Sequence, residues 1–64
     1  MKWRFSINDN EGIEGTLGEC QQMLAKHVSR GYDNTYTIEA VLEEPHYAYR
    51  YNANGVCERV DVVA

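Results

Sequence analysis

Three stretches of this chain alternate apolar and polar residues with a period of two, a fourth does so with one interruption, and a single stretch repeats its apolar residues at helical spacing. A chain patterned this way must pair a half-buried sheet with an amphipathic helix. From Lys2 to Asn8, Trp3, Phe5 and Ile7 take one face and Lys2, Arg4, Ser6 and Asn8 the other. From Thr35 to Glu43, Tyr36, Ile38, Ala40 and Leu42 face inward; from His46 to Asn52, Tyr47, Tyr49 and Tyr51 share a parity. Val56, Val60 and Val62 do the same in the last segment, with Glu58 breaking the run.

The helical stretch carries its own start and stop. Thr16-Leu17-Gly18-Glu19 fits a capping box, in which the Thr16 hydroxyl accepts an orphan amide and Glu19 reaches back to the cap residue's N–H. Leu17, Cys20, Met23, Leu24, His27 and Val28 then line one face. Lys26 and Arg30 suit the negative end of the helix dipole, and Gly31 suits the left-handed position beyond the last turn.

The connections fix the order. Asn8-Asp9-Asn10-Glu11-Gly12 is turn chemistry, and the segment around Ile13, flanked by Gly12 and Gly15, is read as a loop in preference to a short return strand. Glu44-Pro45 ends the second strand, and Asn54-Gly55 is a strong hairpin signal. A two-residue turn there pairs Tyr49 with Val60 and Tyr47 with Val62, at the cost of setting Arg50 opposite Arg59. A three-residue loop with a glycine bulge pairs Arg50 with Glu58 but opposes the tyrosines to Arg59 and Asp61. Burial favours the first register. The expected fold is α+β: one domain over 1–64, one helix packed on a four-stranded sheet, order β-α-β-β-β, with an antiparallel meander of the last three strands. The first strand then lies parallel to its neighbour, whether it sits beside the second strand or the fourth.

Sixty-four residues bury only about 60% of the unfolded surface, which leaves little apolar material for lining a pocket. No enzyme and no cofactor are therefore expected. A net charge of -4 disfavours direct nucleic-acid binding, which relies on basic residues replacing counterions. Neither a signal peptide nor a run of ~20 apolar residues is visible, so the expectation is a cytoplasmic protein with no membrane contact and with Cys20 and Cys57 as reduced thiols. Cys20, His27, His46 and Cys57 lack the close spacing of a zinc site. The run from His46 to Tyr51 superficially matches an RNA-stacking strand. Its parity instead assigns Tyr47 and Tyr49 to the core under the helix and leaves Tyr51 as the most exposed of the three.

Charge is the remaining signal. Asp9, Glu11, Glu14 and Glu19 lie between Arg4 and Lys26, and Asp33, Glu39, Glu43 and Glu44 between Arg30 and Arg50, each block free of Lys and Arg. In the expected topology, Asp9, Glu11, Glu14, Glu19, Glu43 and Glu44 gather at one end, with Lys2, Lys26 and Arg30 toward the other. Such a pole fits a protein partner with a basic surface. In size, acidity and gross outline, though at no motif, the chain resembles small phage-encoded antagonists of host machinery, notably anti-CRISPR proteins and phage inhibitors of bacterial RNA polymerase. The resemblance implies a noncatalytic inhibitor docking its acidic end on the nucleic-acid-binding groove of a larger complex. The alternative is a small adaptor or homodimer that uses the sheet face away from the helix, around Val41, Arg50 and Val63, or a free strand edge.

Overall fold

Local chemistry at the first turn decides the topology. Asn8 and Asp9 both adopt positive φ, 53° and 62°, and Asn10 donates its backbone N–H to the Ile7 carbonyl at 3.0 Å. Paired positive φ values belong to a tight hairpin turn, and Asn and Asp tolerate them better than other side chains. The chain therefore reverses at once and does not enter a loop. The computed structural model, which describes residues 2–10, 12–41 and 45–63, accordingly has five strands where four are expected from the sequence. They are β1 (Trp3–Ile7), β2 (Ile13–Gly15), β3 (Tyr36–Ala40), β4 (His46–Tyr51) and β5 (Cys57–Val63), with α1 (Leu17–Ser29) between β2 and β3.

The sheet order is β2-β1-β3-β4-β5, and every pair is antiparallel. The expected parallel pairing of the first strand is thus corrected. The extra strand β2 turns the chain round once more, so α1 starts beside the beginning of β1 and returns the chain to the end of β1. There β3 begins, with Tyr36 opposite Ile7. Gly12 is what lets β2 close in, because a Cβ at that position would stand 1.6 Å from the Phe5 carbonyl oxygen. The Asn8 side chain ties the turn to the approach of β3, accepting from the Thr35 N–H at 2.9 Å and donating to the Asn34 side chain at 2.9 Å.

The helix forms as its caps dictate. The Thr16 hydroxyl accepts from the Glu19 N–H at 3.1 Å, and the Glu19 carboxylate accepts from the Thr16 N–H at 3.0 Å. At the other end Gly31 takes φ +73° and donates to the Val28 carbonyl at 3.0 Å, a left-handed termination that glycine adopts without strain. Beneath α1 the core comprises Phe5, Cys20, Tyr36 and Ile38, with Trp3, Ile7, Met23, Leu24, Val28 and Tyr51 packed around them.

The last hairpin combines both registers considered from the sequence. Asn52 and Val56 pair across a loop of the three-residue kind: the Asn52 N–H donates to the Val56 carbonyl, the Gly55 N–H to the Asn52 carbonyl, and Gly55 has φ +80°. Tyr51 accordingly opposes Cys57. A bulge between that pair and Arg50–Arg59 then takes Glu58 out of the ladder, so that Tyr49 opposes Val60 and Tyr47 opposes Val62. Two irregularities of one residue each cancel, and apolar pairing on the helix-side face is preserved. The β3 strand ends at Ala40, and its expected continuation through Leu42 and Glu43 lies outside the described residues. Among the described residues no helix is long and apolar enough to cross a membrane.

Candidate functional site

A single helix cannot cover this sheet. Five strands at a spacing of ~4.8 Å place the outer two about 19 Å apart, whereas a helix with its side chains is only ~10–12 Å wide. The helix packs on β1, β2 and β3, and the helix-side face of β4 and β5 projects beyond it as an apolar shelf. Tyr47 is 57% exposed there, Val60 48% and Val62 65%, with Val56 exposed near the hairpin tip. Tyr49 is half-buried between them. The shelf runs without interruption to β5, whose outer edge pairs with no other strand among the described residues.

This reverses the expected order of the tyrosines. Tyr51, read as the most exposed, is packed against the core beside Tyr36, where burial pushes its hydroxyl pKa up, with further contributions from Cys57 and Tyr49. Tyr47, read as core, lies on the open shelf. The cause is sheet order: the helix packs on β1, β2 and β3, and only near the hairpin tip, where Gly55 approaches Val28 closely, do β4 and β5 come near it.

The opposite face carries a network of charges. Arg50 donates to Asp61 at 2.9 Å, to Asp9 at 2.7 Å and to the Thr37 hydroxyl at 3.1 Å. Arg59 pairs with Asp61 at 3.0 Å, and Arg4 with Glu14 at 2.8 Å and Glu39 at 3.9 Å. His46 contacts Glu39 at 3.1 Å. These long side chains lie over a floor of small residues, so that Ser6, Thr37 and Ala48 are buried although no helix covers them. The sheet face away from the helix thus carries a network of ion pairs.

The six acids proposed from the sequence do not form one pole among the described residues. Asp9 sits in the turn after β1 and is held by Arg50. Glu14 lies on β2 at the other end of the sheet, opposite Arg4, and bonds both Arg4 and Lys2; the hydrogen bond from Arg4 holds its carboxyl below the ordinary carboxylate value. Glu19 closes the capping box at the start of α1, and its carboxyl is lowered chiefly by the Thr16 backbone N–H. Lys26 and Arg30, at the end of α1, fall on the same side as Asp9. Glu11, Glu43 and Glu44 lie outside the described residues. With β2 in place, Glu14 and Glu19 lie together at the Trp3 end of β1 and Asp9 at its Ile7 end.

The remaining reactive groups are scattered. Cys20 is buried in the core and Cys57 is exposed on β5, both as free thiols; burial, aided by Glu19, pushes the Cys20 thiol up. His27 stacks on Phe5 at 5.6 Å on the helix side of the sheet, whereas His46 is on the opposite face. Among the described residues no group of three or more His, Cys, Asp or Glu could hold a metal ion. The shelf was missed in the sequence because its residues carry the same parity as the core; only the width of the sheet against that of one helix shows that they are left uncovered. No family model, curated protein or solved structure matches the chain.

Proposed function

We propose that this chain is a noncatalytic protein-binding module that takes an extended protein segment along the free edge of β5, with that segment's apolar side chains laid beside Val60, Val62 and Tyr47. The observation that carries the reading is the continuity of an exposed apolar strip with an unpaired strand edge. Main-chain hydrogen bonds then supply affinity and alternate side chains supply selectivity, as in strand addition generally. The inhibitor reading based on acidic docking draws less support. Asp9, Glu14 and Glu19 already have internal partners, and a basic partner would have to compete with them.

A photo-crosslinking amino acid placed at Val62, or separately at Glu14, tests this in cells producing the protein. The expected result is a defined covalent protein adduct from position 62 that survives a high-salt wash and disappears when Val60→Lys is added. Adducts from position 14 alone, sensitive to salt, would instead return the acidic surface to first place.

A further inference from the structure

The outer edge of β5 can be asked which strand it fits, and its own sequence supplies an answer. Two copies of β5 paired antiparallel about a two-fold axis normal to the sheet keep both helices on one side and match like faces. Face parity permits only registers that pair odd residues with odd and even with even. In the regular part of the strand beyond the Glu58 bulge, three such registers, centred on Arg59, Val60 and Asp61, set a charged residue opposite a charged residue of the second copy, whereas centring on Val62 sets Asp61 against Val63 and makes no charge pair. Centring on Arg59 sets Arg59 against its own copy, and centring on Asp61 sets Asp61 against its own copy; like charges directly opposite destabilise a sheet. Centring on Val60 sets Val60 against Val60 on the shelf side and Arg59 against Asp61, twice, on the other face.

We infer that the partner of the β5 edge is a second copy of this chain, paired antiparallel in the register centred on Val60, the one that sets Arg59 against Asp61. This rests on the protein-binding reading above and names the occupant. Arg59 has reason to accept such a partner. Within one chain it stands opposite Arg50, and although it touches Asp61, its side chain remains 67% exposed. Asp61 is already fixed by Arg50 at 2.9 Å, so it is held in place as an acceptor for the second copy's Arg59. Pairing would extend the ion network across the axis as Arg50, Asp61, Arg59 of the second copy. It would also bring the Val60 side chains of the two shelves together between the two helices. One strand edge with two charge pairs is a small interface of the kind that gives weak, reversible association.

Register is what the experiment reads. In an antiparallel pair, opposed Cα atoms are ~4.5–5.5 Å apart, within the ~4.4–6.8 Å reach of a disulfide, so Val60→Cys in a Cys57→Ser background should oxidise to a linked dimer. Val62→Cys in the same background should not, because position 62 opposes position 58 and the two copies of position 62 stand roughly 13 Å apart along the strands. Arg59→Asp alone should weaken association roughly tenfold or more in sedimentation equilibrium. Mixing it with Asp61→Arg should restore a heterodimer, since both cross-axis pairs are then complementary. A protein that stays monomeric up to millimolar concentration, or a Val62→Cys variant that links as readily as the Val60→Cys variant, would overturn the inference. If position 62 still crosslinks to a different protein in cells, the binding reading survives without the second copy.

Discussion

The two sides of the sheet's midline are built from similar residues and meet different fates. In β1 and β3, Phe5, Tyr36 and Ile38 are at most 2% exposed beneath the helix. In β4 and β5, Tyr47, Val60 and Val62, of the same chemical kind and with the same alternation, stand about half or more in solvent, from 48% to 65%. The sequence pattern alone does not separate them. Burial here is decided by how far one 13-residue helix reaches across five strands, so alternation marks the capacity to be buried and topology decides its use. A continuous exposed apolar strip of this kind is a common mark of an interaction surface.

The comparison is sharpest in stability. Ile38→Ala should cost roughly 3 kcal/mol, the range for a large aliphatic side chain removed from a packed core, whereas Val62→Ser should fall within about 0.5 kcal/mol, as for surface positions. Urea denaturation of both variants, read as midpoints at constant slope, measures the difference directly. Equal losses would mean that the shelf is covered in the folded protein. Next in size is Gly12→Ala, which should cost more than about 1 kcal/mol because the new Cβ must displace the Phe5 carbonyl; thermal melts that show no loss would argue that β2 does not pair as described. Thr16→Ala removes one capping partner on the helix-covered side and should cost about 1 kcal/mol, detectable as a reduced melting temperature and early loss of helical circular dichroism.

The smallest expected effect concerns pH. Glu14 has a folded-state value below its ordinary 4.5, so the unfolded chain binds its proton more readily than the folded one. The stability it lends is present above the unfolded value and is lost as pH falls through the lowered folded value. Because the group is solvent-exposed the effect should be slight. Glu14→Gln should flatten the acid limb of the stability profile a little and leave the profile at neutral pH and above parallel to that of the parent protein.

These contrasts also show what the sequence discloses. The Thr16–Glu19 capping box, the Gly31 termination and the pairing of the tyrosines with Val60 and Val62 are legible because each depends on residues close in sequence or on a face that must be buried. The strand β2 is not, since three residues with one exposed isoleucine carry no periodicity; the better signal was Asn8-Asp9, a pair suited to positive φ, with Gly12 four positions beyond Asn8. The acidic pole was unreadable for a related reason. Which end of the molecule Glu14 and Glu19 occupy depends on the parity of chain reversals, and one missed three-residue strand moves them to the opposite end.

The β1–β3 pairing bears on how the molecule assembles in time. The β1–β2 and β4–β5 hairpins join neighbours, and such hairpins form in about 1–10 μs. The ladder from Ile7–Tyr36 to Trp3–Ala40 must instead close a long segment that contains the helix, and such closure must precede the contacts that reward it. We therefore expect this seam to be the rate-limiting step. Phe5→Leu and Ile38→Val should slow the folding arm of a chevron plot, while substitutions on the shelf should change mainly the unfolding arm.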